Sequence, residues 1–237
     1  SKWANIKHRK GAQDAKKGKL FTKIIKEITV STRIGGSDLE SNSRLRSAIQ
    51  KAKSNNMPSI NIKRAIKKGS GSLAGVKFEE VIYEGYGPAG VAIMLEVVTD
   101  NKNRSVAEIR NAFSKFGGKL GENGSVSWIF EKKGIIILKL NNLSEEILYE
   151  LAIKEGADDI EQNDGSYIIK LNPKIIYNLK EKFDKNGFNI VSVDIALIPK
   201  TYQKIKHNEV EKLNMLFEIF QNNEDINTFY SNFKIDE

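Results

Sequence analysis

The chain has 237 residues, 40% of them apolar and 8% aromatic, which is enough for packed cores in one to three domains and too apolar for a disordered tail. It has no Cys and no run approaching the ~18 apolar residues of a membrane span, and no apolar leader opens it, so disulfides, thiolate chemistry and zinc-thiolate sites are excluded and a cytoplasmic chain without membrane partners is expected. The net charge of +8 is divided unevenly: residues 1–70 carry 18 Lys and Arg against 4 acids, whereas residues 71–237 carry 20 against 26. A basic end on an acidic body is the pattern of a protein that grips nucleic acid at one end, with the acidic remainder repelling phosphates and so orienting the encounter.

Residues 1–18 show little periodicity and set Trp3 among Lys2, Lys7, His8, Arg9 and Lys10, which reads as a flexible basic arm. Trp3 either stacks on a base or pins the arm to a core. No Cys or carboxylate cluster accompanies His8, so no metal site is read there. From Lys16 the basic residues Lys16, Lys19, Lys23 and Lys26 fall on one helix face, opposite Leu20, Phe21, Ile24, Ile25 and Ile28. This predicts a helix that buries its apolar stripe and holds a row of ammonium groups out to a polyanion. A second helix is predicted over 43–53, after the Gly35–Asp38 turn, and a third from Pro58, with Gly69 as its stop. Arg44, Arg46, Lys51, Lys53, Lys63, Arg64, Lys67 and Lys68 extend the basic character, and Gly69–Gly75 reads as a linker.

Strands are predicted at Phe78–Tyr86 and Val91–Thr99. The intervening Gly85–Gly90 matches G-x-G-x-x-G, but a strand rather than a helix follows it, so a hairpin turn is read instead of a dinucleotide site. A helix capped by Ser105 and Glu108 follows, then a strand at Val126–Phe130. Residues 134–198 run strand, helix, strand, strand, helix, strand, with Ser144 and Pro173 opening the helices and Asn163–Ser166 turning the central hairpin. This is the ferredoxin-like order. Helices at Asn208–Gln221 and Asn227–Phe233 are expected to cover the preceding domain.

These residues, above all SKWANIKHRKGAQDAKKGKLFTK at 1–23, IGGSDLESNSRLRSAIQKAKSNNMP at 34–58, YEGYGP at 83–88 and TDNKNRSVAEIRNAFSKFGGKLGENGSVSWIF at 99–130, closely resemble the YebC family, which includes the mitochondrial translational activator of cytochrome oxidase. The resemblance spans essentially the whole chain. It implies an α+β fold: a basic helical domain (1–76), a middle domain (77–132 with 202–237) and a ferredoxin-like domain (133–201), the last two both ferredoxin-like. It also implies nucleic-acid binding in the regulation of gene expression, as a ribosome- or RNA-associated translation factor or as a DNA-binding transcriptional regulator. The residues expected at the nucleic acid are Lys2, Trp3, Lys7, Arg9, Lys10, Lys16, Lys17, Lys19, Lys23, Arg44, Arg46 and Lys51. No cofactor or metal is expected, and the acidic face of residues 77–237 is a candidate protein-binding surface. The best enzyme candidates, Thr99, Asp100, Asn101, Asn103 and Arg104, lie between a strand and a helix and lack Cys, His and a Walker sequence beside them. They read as a helix-capping group, and the chain as a non-enzyme.

Overall fold

A computed structural model describes residues 17–140 and 142–236. The chain divides into two compact units: residues up to Ser127 with those from Tyr202 onward, and Trp128–Thr201.

The first unit opens with three helices, α1 (Lys17–Gly35), α2 (Ser43–Ser54) and α3 (Ser59–Gly69). Their apolar stripes meet: Ile24 and Ile28 of α1 pack with Leu45, Ala48, Ile49 and Ala52 of α2 and with Ile62 and Ala65 of α3. Buried Asn42 sets the angle between α1 and α2. Its Oδ1 accepts from the Leu45 N–H, capping α2, while its Nδ2 donates to the Ser31 and Gly36 carbonyls at the end of α1. Gly69, expected as a stop signal, has a packing role. A Cβ there would lie 2.5 Å from the Thr29 carbonyl oxygen and 2.6 Å from the Thr32 Cβ, so only glycine lets α3 approach α1 this closely.

The sheet of this unit contains β1 (Glu79–Tyr86), β2 (Ala92–Thr99), β3 (Lys119–Leu120) and β9 (Ile226–Ser231) in the order β3-β1-β2-β9, with every neighbouring pair antiparallel. The glycine-rich hexamer is the β1–β2 hairpin turn, closed by the Gly87 N–H on the Val91 carbonyl. Helices α4 (Lys102–Lys115) and α7 (His207–Asn222) cover one face, burying Ile109 and Phe113, and Leu213, Leu216 and Phe220, against Val91, Ile93, Leu95 and Val97. Short strands β8 (Gln203–Ile205) and β10 (Phe233–Ile235) pair in parallel beside it.

Three local expectations do not hold: Ser105 lies inside α4, whose N-cap is Asn101, so Ser105 and Glu108 are not its capping box, and two further segments differ. The segment 227–233 is a strand, not a helix: its Asn-Thr-Phe-Tyr run is rich in sheet formers, and β2 offers a free edge. The strand expected at 126–130 is a 3₁₀ turn, Ser127–Ile129, because the three amides Gly124, Val126 and Ser127 bend round the buried Glu84 carboxylate.

The second unit has the predicted ferredoxin-like order. Strands β4 (Phe130–Lys139), β5 (Ala157–Asn163), β6 (Ser166–Leu171) and β7 (Asn189–Pro199) form an antiparallel sheet ordered β5-β6-β4-β7, with α5 (Glu145–Lys154) and α6 (Ile176–Lys185) as its helices. The β5–β6 turn places both Asp164 and Gly165 at positive φ, as a two-residue hairpin of this twist requires. Leu148, Ile169, Leu179 and Phe183 form its core. Its acids are largely spent in pairs, including Asp158 with Lys133, and Asp159 and Glu161 with Lys170.

Candidate nucleic-acid interface

Of the residues expected at the nucleic acid, Lys2, Trp3, Lys7, Arg9, Lys10 and Lys16 lie outside the described residues, and of Lys17 only the backbone is described. The rest of the α1 basic face is not held out to solvent. It is seated on the C-terminal end of α7, where the last carbonyls of a helix have no partners of their own and carry the negative end of the macrodipole. Helix α7 has no basic residue in its last turn. Helix α1 supplies the cations instead: the Lys19 Nζ donates to the Asn222 carbonyl at 2.8 Å and the Lys23 Nζ to the Gln221 carbonyl at 3.0 Å. The Lys26 Nζ donates to the Glu224 carbonyl at 3.1 Å and the Val98 carbonyl at 3.3 Å. The helical period is as expected, while the carbonyls these lysines meet, about 200 positions away, leave no mark on the local pattern.

Lys26 is 8% exposed and meets Asp225 at 2.7 Å. Asp225 also accepts from the Arg104 Nη2 and Ser105 Oγ at 2.8 Å each and from the Thr99 Oγ1 at 3.2 Å. Burial alone would raise this carboxyl, but the donors from Lys26, Arg104 and Ser105 outweigh it and bring the pKa down to about 2. Asp225 therefore joins α1, the end of β2 and the start of α4 through one carboxylate. No local signal in the sequence singles it out. The strand-to-helix group considered for catalysis is part of this junction: Thr99 is buried, the Asn101 Oδ1 caps α4 by accepting from the Arg104 N–H, and Arg104 also pairs with Asp100. No group of acids and His that could hold a metal occurs among the described residues.

Burial lowers Lys23 to about 8, helped by the charges of Lys51, Lys26 and Lys19 and opposed by Glu224. Arg44 is likewise engaged inside the unit. Its guanidinium meets both Glu27 oxygens at 2.7 and 3.1 Å and Glu80 at 2.5 Å, hydrogen bonds that raise its pKa. Arg46 donates to the Leu39 and Glu40 carbonyls, closing the α1–α2 loop. Lys51 is exposed on α2. Outside the expected set, Lys53, Lys63, Arg64 and Lys67 are exposed and make no ion pair among the described residues.

No helix among the described residues is long and apolar enough to cross a membrane. A family model described as the TACO1/YebC protein N-terminal domain matches residues 1–72, and one described as the TACO1/YebC second and third domain matches residues 78–233. A Geobacter sulfurreducens protein named probable transcriptional regulatory protein is 48% identical over 99% of this chain and 95% of its own. A Persephonella marina protein of the same name is 48% identical over 100% and 96%. The crystal structure of a conserved hypothetical protein from Aquifex aeolicus superposes with a TM-score of 0.83 at 45% identity, covering 95% of this chain and 93% of that one. With both family models and full-length relatives in agreement, this chain belongs to the TACO1/YebC family.

Proposed function

We propose that the protein regulates gene expression by binding nucleic acid through its basic first 70 residues, and that its target is RNA of the translation machinery. The observation that carries this is the charge division, 18 Lys and Arg against 4 acids in that segment and the reverse excess in the remainder. Lys2, Lys7, Arg9, Lys10, Lys16 and Lys17 with exposed Lys51 supply phosphate contacts, and Trp3 stacks on an unpaired base. Lys19, Lys23, Arg44 and Arg46, engaged internally, instead hold the basic layer in place. The names of the relatives favour a second reading, regulation of transcription through DNA. Neither reading calls for a catalytic step.

Binding of the full chain to structured RNA, single-stranded RNA and duplex DNA across a salt series tests this. Log K should fall linearly with log salt on RNA. Trp3→Ala should weaken RNA binding by ~1–3 kcal/mol with the slope intact, and hardly affect duplex DNA. In a sucrose gradient of lysate the protein should track with ribosomes. Tighter binding to duplex DNA with no ribosomal sedimentation would establish the transcriptional reading instead; a flat salt dependence on every polyanion would refute both.

A further inference from the structure

Helix α3 presents a face that neither the core nor the junction at Asp225 uses. Its sequence, SINIKRAIKKG, holds four cations and no acid. Ile62, Ala65 and Gly69 are buried on one side. On the other, Ile60, Lys63, Arg64 and Lys67 fall within an arc of about 100° at 3.6 residues per turn, and all four are exposed, Ile60 at 61%. Other cations of the unit are neutralised by neighbours, Lys26 by Asp225, Arg44 by Glu27 and Glu80, Lys102 by Glu79 and Arg104 by Asp100 and Asp225, whereas α3 gathers three exposed cations on one face with no acid on the helix. Lys63, Arg64 and Lys67 have no carboxylate partner among the described residues. They repel one another instead, since 63 and 67 stand four apart and 64 and 67 three apart, the spacings at which an acid would have been stabilising. A local rule broken with no compensating contact within the fold marks a place where function has set the sequence.

We infer that this face of α3 binds the phosphate backbone of the nucleic acid. The inference rests on the nucleic-acid reading above and names a second contact surface for it, apart from the arm. Lys63 and Lys67 lie about 6 Å apart along the axis, four residues at 1.5 Å each, so the charges form a file that suits a repeating linear polyanion. An acidic protein fits less well, because interface cores are depleted in Lys and rich in aromatics, and this face has Lys with a single aliphatic side chain. With no base-reading constellation on it, the face fixes position and register but carries no sequence preference.

The test uses the full chain carrying Lys63→Gln, Arg64→Gln and Lys67→Gln together, beside a control with Lys132→Gln, Lys154→Gln and Lys174→Gln, three exposed lysines of the second unit. Both variants lower the net charge equally. The α3 variant should melt at or above the wild-type temperature, because repulsion is removed from an exposed face. On an RNA that the wild type binds, its salt slope should be shallower by about two to three units and its affinity at 0.15 M salt lower by at least about tenfold, with the control near wild type. An α3 variant no weaker than the control overturns the inference and leaves the function reading intact. So does unchanged RNA affinity accompanied by loss of an acidic protein partner, which would assign the face to that partner. If the wild type binds no nucleic acid, the function reading itself fails, and the inference fails with it.

Discussion

Replacing Asp225 by Asn keeps the shape of the side chain and removes the charge that joins α1, β2 and α4. In the wild type the carboxyl is held at about 2 against an ordinary 3.8, a difference worth ~2.5 kcal/mol of folding free energy at one unit per 1.36 kcal/mol. The variant replaces the carboxylate partner of the buried Lys26 ammonium by a neutral amide, and whichever way that amide turns its N–H₂ faces donors, Lys26 on one side or Arg104, Ser105 and Thr99 on the other, so the loss at pH 7 should lie within the ~3–5 kcal/mol typical of a broken buried pair. Because the folded pKa is depressed, this stability is fully present above pH 4 and lost as pH falls through 2. Urea unfolding of both proteins from pH 7 to pH 2 gives the gap, and taking the difference cancels the carboxylates they share. Native-state hydrogen exchange on α1 and α7 peptides locates the loss in the first unit. The reasoning is refuted if the gap at pH 7 is under ~1 kcal/mol, or if it does not narrow between pH 4 and pH 2.

Lys23→Met should flatten part of the alkaline stability profile. The folded Lys23 binds its proton more weakly than the unfolded one, so the wild type gains up to about 3 kcal/mol from this group as pH rises from 8 to 10.5, and the difference between the two proteins across that window measures it. Gly69→Ala, which would stabilise an exposed helix, should instead cost ~1–3 kcal/mol and lower the melting temperature, because the added carbon meets Thr29 and Thr32. Glu84→Gln should cost ~2–3 kcal/mol and speed exchange of the Gly124, Val126 and Ser127 amides; unchanged protection of those amides would mean that the carboxylate does not hold the loop.

The second unit was legible because its punctuation is local: Ser144 caps α5, Pro173 and Gly187 bracket the second helical segment, and Asn163–Ser166 turns the hairpin. The 227–233 strand was not legible. The eight residues 226–233, with apolar positions at 226, 229, 230 and 233, fit a helix face as well as a strand, and the free edge of β2 decides between them. The amphipathic character of α1 was plain, yet what its lysines meet depends on the end of α7. The α3 face was readable in SINIKRAIKKG from the missing acids alone, but knowing that its cations stay unpaired required the fold.

The seat of α1 on the end of α7 also sets the order in which this chain can be completed during synthesis. Helices α1 to α3 join residues close in sequence and can assemble while the ribosome is still far from the stop codon. The second unit, residues 128–201, emerges whole before Tyr202. The central β1–β2 hairpin must wait for α7 and β9, made long after it, and until then β2 has an open edge and Lys19 and Lys23 of α1 have nothing beneath them. Nascent chains stalled before His207 should therefore bind polyanions more tightly than the finished protein, through ammonium groups that the final helix later takes for itself.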